Sequence, residues 1–258
     1  MSLFLQILVC FLAGAGAGLG TGFAGMSAAA VISPMLVTFL DVPSYPAVGI
    51  ALASDVLASG VSAITYKKNG NLDVRNGIIM MLTVLLFTTI GSWASSFVSN
   101  STMGSFSVIM TALLGVKFIL KPVMTTKEAM KSVSKTKRAV QSVVFGCLIG
   151  FICGFIGAGG GMMMLLVLTS ILGYELKTAV GTSVFIMTFT ALTGAVSHFA
   201  IDGVPDLLTL ALCMVFTLLW ARIGARIANK VSSKTLNRVT GVILLVLGVV
   251  VIAVKALH

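Results

Sequence analysis

The sequence predicts an all-α membrane protein of two inverted repeats, each a broken-helix hairpin followed by three transmembrane helices. Three observations predict it. Hydrophobic residues make up 58% of the chain and charged residues only 9%, where a soluble domain carries about 25% charged residues. The two halves match each other at a nearly constant offset. The matched loops carry opposite charge patterns.

Apolar stretches fall at 3–22, 27–40, 45–66, 74–98 and 102–121, then at 139–156, 160–173, 178–201, 205–228 and 235–256. A full crossing takes about 20 residues, so 27–40 and 160–173 are too short to span alone. Each follows a glycine-rich interruption. The first is Gly18-Leu19-Gly20-Thr21-Gly22-Phe23-Ala24-Gly25, and the second is Gly154-Phe155-Ile156-Gly157-Ala158-Gly159-Gly160-Gly161. Glycine costs a helix about 1 kcal/mol relative to alanine and admits backbone conformations that other residues avoid. Both places are expected to be helix breaks. The stretch 122–138 is polar and basic. It divides the chain into a first repeat at 1–121, a linker at 122–138 and a second repeat at 139–258. The start, Met1-Ser2-Leu3, lacks the basic region of a signal peptide and is expected to be retained.

The duplication is legible residue by residue. Pairing each residue of 14–63 with the one 132 further on matches Gly14 to Gly146, Gly18 to Gly150, Gly22 to Gly154 and Gly25 to Gly157. The same register matches Ala47, Val48 and Gly49 to Ala179, Val180 and Gly181. One inserted residue later, Gly70 matches Gly203, Asp73 matches Asp206 and Gly91 matches Gly224. The spacing of Gly14, Gly18 and Gly22, and of their partners, makes small-residue ridges that let membrane helices approach closely.

Charge orients the halves. Lys67, Lys68 and Arg75 flank one loop of the first repeat, whereas its counterpart at 200–208 has Asp202 and Asp206 and no basic residue. The stretch 93–105 has no basic residue, and its counterpart at 226–238 has Arg226, Lys230, Lys234 and Arg238. If 3–40 and 139–173 each enter and return, the halves are inverted. All 17 Lys and Arg except Lys255 then share one side, which the positive-inside rule makes the cytoplasm. Four plain crossings per half would make the repeats parallel and divide the basic residues between both faces. The expectation is therefore inverted repeats, both termini outside and a cytoplasmic linker.

The net charge of +10 sits at the ends of apolar runs, which suits insertion and the lipid bilayer, not nucleic acid. Cys10, Cys147, Cys153 and Cys213 lie in apolar segments without a CxxC pair, and His198 and His258 are isolated. No metal site is expected. No GxGxxG or P-loop indicates a nucleotide. A membrane protease would need Ser27 and His198 together, and nothing brings them so. The chain is not expected to be an enzyme.

The two breaks are expected to meet near the midplane. Helices restarting at Met26-Ser27-Ala28 and Gly160-Gly161-Met162 would present N–H groups, and helix N-termini attract anions. The candidate walls of a small-anion pocket are Gly25, Met26, Ser27, Gly157, Ala158, Gly159 and Gly160. Ser54, Thr182 and Ser183 add hydroxyl donors inside apolar spans. Two structural kinks and ordinary helix–helix hydrogen bonds would use the same residues. Asp55 is the only carboxylate deep in a span, a costly placement that makes it a functional candidate. It would carry a coupling proton or pair with a cation. Its counterpart is Met187, so its role is asymmetric. Arg222 and Arg226 fit snorkelling side chains, and Met162-Met163-Met164 fits packing.

The order Gly22-Phe23-Ala24-Gly25-Met26-Ser27, Pro34-Met35-Leu36, Ala47-Val48-Gly49 resembles one known family. So does Gly154-Phe155-Ile156-Gly157-Ala158-Gly159-Gly160-Gly161 followed by Thr178-Ala179-Val180-Gly181-Thr182-Ser183. The chain is similar to the TauE/SafE sulfite exporters, also called sulfonate uptake permeases, over nearly its whole length. It departs from the family at Ala51-Leu52-Ala53-Ser54-Asp55, where a Gly-Thr-Ser-like sequence is expected. The resemblance implies secondary transport of sulfite, an organosulfonate or a related sulfur-containing anion. It also implies a bacterial or archaeal inner membrane, a homodimer as one option, and no bound cofactor. The alternatives are a passive anion channel and a cation carrier centred on Asp55.

Overall fold

The computed structural model describes residues 3–95, 116–117, 119–132, 134–156 and 160–256. Its helices are α1 (Leu3–Ala24), α2 (Ala29–Leu40), α3 (Ser44–Lys68), α4 (Val74–Ser95), α5 (Lys127–Ser132), α6 (Lys135–Ile156), α7 (Gly160–Ser170), α8 (Leu176–Asp202), α9 (Leu207–Lys230) and α10 (Ser233–Ala256). Among the described residues there is no strand. The basic stretch 122–138 holds α5 and the first turn of α6. Most of the expected span at 102–121 lies outside the described residues.

Helices α1, α3, α9 and the Leu176–Ile201 part of α8 are each long and apolar enough to cross a bilayer, while α2, α7 and Val74–Ile90 of α4 are shorter apolar helices. Their outward faces carry large exposed apolar side chains such as Leu82, Leu86, Val144, Val196 and Leu219. Such a belt is unfavourable against water and suits lipid.

The halves interlock. The first helix of each packs on the fourth helix of the other, α1 on α9 and α6 on α4, and α3 packs on α8. Glycines permit the close approach: a Cβ on Gly18 would stand 2.6 Å from the Thr217 oxygen and 2.7 Å from the Ala221 nitrogen. Gly14, Gly18 and Gly22 meet Phe216, Thr217 and Ala221 in rising order, so α1 and α9 run parallel. Gly146 meets Thr83, and Gly150 meets Val84 and Phe87, so α6 and α4 do the same. Phe216 and Thr83 are counterparts in the shifted register, as are Thr217 and Val84. The two interfaces therefore repeat each other position by position.

The α3–α8 pair is different. Gly49 meets His198 and Phe199, Leu52 meets Gly194, Gly60 meets Thr188 and Tyr66 meets Gly181. These contacts run antiparallel, although Gly49 and Gly181 are counterparts in the duplication. Equivalent positions of the two halves thus lie at opposite ends of this pair.

The ends of the helices repeat as well. Gly70 (φ 67°) and Gly203 (φ 80°) take left-handed conformations where α3 and α8 finish. Asp73 accepts from the Asn76 N–H at 3.2 Å, and Asp206 accepts from the Thr209 N–H at 2.9 Å. Each is the N-cap of the next helix, satisfying an amide without an intrahelical partner.

Candidate functional site

The first glycine run ends α1 as expected. Gly25 turns the chain at φ 61°, and its N–H donates to the Thr21 carbonyl at 3.0 Å. The carbonyls left bare by the break are met by hydroxyls from three helices. Tyr66 of α3 donates to Gly22 O at 2.9 Å, Thr240 of α10 to Phe23 O at 3.2 Å, and Thr21 of α1 to Met26 O at 2.8 Å. Irregular backbone at membrane depth is tolerable when its polar groups are satisfied in this way.

The donor side of the break faces a carboxylate. The Ser27 hydroxyl donates to Asp55 Oδ2 at 2.7 Å, and the Ser59 hydroxyl donates to Asp55 Oδ1 at 2.8 Å. The Ala28 amide faces the same group. Asp55 is 1% exposed and lies near the midpoint of α3. A side chain from α3 therefore stands beside the N-terminus of α2 across the break, where the helix dipole favours negative charge. The sequence predicts open N–H groups here; the Ala29 N–H faces Ser27 Oγ at 3.4 Å, with the Asp55 carboxylate beside them.

The start of α7 packs against the first break. A Cβ on Gly161 would collide with the Gly25 carbonyl oxygen and with Met187 Sδ, and a Cβ on Gly25 would collide with Ser183 Oγ. Gly25, Met26, Ser27, Asp55, Ser183 and the start of α7 at Gly160 thus gather at one level. Met26 is buried and Gly160 half-buried. Gly157, Ala158 and Gly159 lie outside the described residues. Met187 lies against Gly161 near the start of α7, and its counterpart Asp55 lies against Ser27 just before α2.

Two predicted residues turn elsewhere. The Ser54 hydroxyl donates to Ile50 O at 2.9 Å, one turn back in its own helix. Thr182 Oγ1 accepts the Asp73 N–H at 3.2 Å and lies against Gly77 of α4. Neighbours on a helix point 100° apart, which separates Thr182 from Ser183. Sequence reasoning passed over Ser59, Tyr66, Thr21 and Thr240. Ser59 had a signal, since it sits four residues from Asp55, on the same helix face. Nothing local marked the other three.

His198 stacks on Tyr45 with centroids 4.1 Å apart, at the start of α3 and ten residues from Asp55, so it is remote from Ser27. Cys10, Cys147 and Cys213 are free thiols. Among the described residues no group of three or more His, Cys, Asp or Glu is placed to hold a metal ion. Beside the linker, a cavity of about 500 Å³ is lined by Asn69, Asn71, Lys127, Lys177 and Asn229 among others. Lys127 and Lys177 donate there to the carbonyls of Gly70 and Asn229, and Glu128 and Glu175 line the same cavity, a polar mouth of mixed charge at the linker end of α3.

The family described as Sulfite exporter TauE/SafE matches residues 10–251. The chain is 26% identical to the "Probable membrane transporter protein YunE" of Bacillus subtilis, over 90% of this chain and 89% of that protein. It is 27% identical to a "Probable membrane transporter protein" of Haemophilus influenzae, over 96% and 98%. It is 24% identical to the "Probable membrane transporter protein MJ0441" of Methanocaldococcus jannaschii, over 95% and 93%. No solved structure matches. These relatives and the apolar helices support a multi-pass membrane protein acting in membrane transport. With the match running through both glycine breaks and nearly the whole chain, the protein belongs to the TauE/SafE sulfite exporter family.

Proposed function

We propose that the chain is a secondary transporter of a small sulfur-containing anion, sulfite or an organosulfonate, across a bacterial or archaeal cell membrane. Its substrate lies between the two glycine breaks, and its halves are inverted repeats. The observation that carries this reading is the meeting of the first break with the start of α7, with Gly161 against the Gly25 carbonyl and Ser183 beside Gly25. The antiparallel run of α3 and α8, which are repeat counterparts, supports the inversion, and broken helices meeting at depth are the layout of secondary transporters. The family description supports the sulfur anion.

Asp55 supplies the coupling step. Its carboxylate holds the Ser27 hydroxyl beside the α2 N-terminus that an incoming anion would also seek, and two negative charges at one site repel strongly where water is excluded. Protonation of Asp55 removes that competitor and lets the anion take the Ser27 hydroxyl and the neighbouring amides. The cycle is then anion movement with a proton. The test is uptake of sulfite, thiosulfate and simple organosulfonates into proteoliposomes under an imposed pH gradient. The gradient accelerates wild-type uptake, and Asp55→Asn loses the acceleration. Uptake that ignores the gradient indicates a passive channel, and cation movement without anion movement indicates a carrier centred on Asp55.

A further inference from the structure

Two polar contacts outside the central site are copies of each other. Arg138, at the start of α6, lies 3.9 Å from Asp73, the cap of α4. Gln6, at the start of α1, donates to Asp206, the cap of α9, at 3.1 Å and to Thr209 at 2.7 Å. In the register of the duplication Gln6 is the counterpart of Arg138, and Asp73 that of Asp206. Each contact ties the first helix of one half to the cap of the fourth helix of the other.

They stand at opposite ends of the molecule. Asp73 follows the end of α3 and Asp206 follows the end of α8, and those helices run antiparallel. A helix of 25 residues is about 37 Å long at 1.5 Å per residue, close to the thickness of a bilayer.

We propose that Arg138–Asp73 and Gln6–Asp206 are opposed latches, one per membrane face, and that releasing one at a time opens the central site alternately. This inference rests on the transport reading. Both latches are closed in this structure. Their chemistry is unequal. Arg138 is buried, donates to the Met130 carbonyl and lies 5.1 Å over the Tyr174 ring. The Tyr174 hydroxyl donates to Asp73 at 2.8 Å, and Asn76 donates to the same oxygen at 2.7 Å. The Gln6–Asp206 contact is neutral on one side and exposed to the surroundings. Breaking a buried charged pair costs far more than breaking an exposed polar one, so the linker-side latch is the firmer. A second observation points to a moving joint. Arg138 Nε and the Ser142 hydroxyl, one turn apart on α6, are buried without a hydrogen-bond partner. Buried polar atoms are rarely left so, which fits a joint between α6 and α4 whose packing changes.

The duplication also supplies matched reporters, because the counterpart of Ser142 is Cys10, which is buried on α1. The test uses the full-length chain in spheroplasts and in inverted vesicles, with a membrane-impermeant maleimide. One background keeps only Cys10, and the other carries only Ser142→Cys. Asn caps a helix as well as Asp, so Asp73→Asn removes the ion pair and keeps the cap. It should speed labelling of the Ser142→Cys reporter from the linker face roughly tenfold, between the loss of an exposed pair and that of a fully buried one. Tyr174→Phe should do so less strongly. Asp206→Asn should instead expose Cys10 from the opposite face and leave the other reporter unchanged. Labelling that ignores all these variants, or that rises equally at both reporters in each, overturns the proposal. The readout needs no anion, so failure to move sulfur anions leaves the latch test intact.

Discussion

Gly25 meets two separate demands. Its backbone sits at φ 61°, where a side chain costs roughly 1–2 kcal/mol, and a Cβ there would strike Ser183 Oγ. Gly25→Ala is expected to destabilise the protein by about 1–3 kcal/mol, read as a lowered unfolding temperature in detergent. Gly25→Ala combined with Ser183→Ala should recover the steric share and leave the backbone share. Full recovery would mean the left-handed turn costs nothing. The glycine break was legible because a run of glycines has few other uses inside an apolar span. The Ser27–Asp55 bond was not. The two residues stand 28 apart in sequence, and each was singled out for its own reason, one as an anion donor and one as a lone carboxylate. Local pattern holds no information about which turn of α3 faces the restart of α2. The division of labour between Thr182 and Ser183 was hidden for the same cause: two adjacent hydroxyls read alike until the neighbours of each face are known.

Among the elements, α4 and α9 start alike, with an aspartate three residues before a side chain that also bonds it, Asn76 and Thr209 respectively. Removing such a cap costs about 0.5–2 kcal/mol. At Asp206 the Thr209 hydroxyl and amide hold the carboxyl below its ordinary value, because both bonds favour the charged form. The sign follows from that lowering. The cap is fully present above the unfolded Asp value near pH 4 and is lost as pH falls through the lower folded value. Amide exchange across Leu207–Leu210, corrected for intrinsic rates, should therefore show the start of α9 fraying as pH falls from about 4 to 2. Asp206→Asn should flatten that dependence while keeping most of the cap. An unchanged acid response in Asp206→Asn would assign the fraying elsewhere. The paired aspartates were visible in the sequence as matched positions, and their spacing to Asn76 and Thr209 is a readable capping signal.

At the scale of the whole molecule, the register of the duplication predicted which residues are equivalent, and the repeated contacts of Gly14 with Phe216 and Gly146 with Thr83 follow it. What the register could not supply is the exchange of partners. A small-residue ridge says that some helix comes close, not that α1 joins the fourth helix of the other half. The same exchange makes the proposed inversion testable with one residue from each loop. Asn69 follows α3 and Val204 follows α8, both are exposed, and each lies beside a glycine of the matched pair Gly70 and Gly203. In an inverted arrangement Asn69→Cys and Val204→Cys must react with an impermeant thiol reagent from opposite faces. Asn69→Cys should react from the linker side, since Lys127 of α5 donates to Gly70 O. The positive-inside rule makes that side the cytoplasm, because Lys67, Lys68 and Lys230 gather there and the stretch around Val204 has no basic residue. Labelling of both positions from one face would require parallel halves. The antiparallel contacts of α3 with α8 would then need an explanation other than inversion.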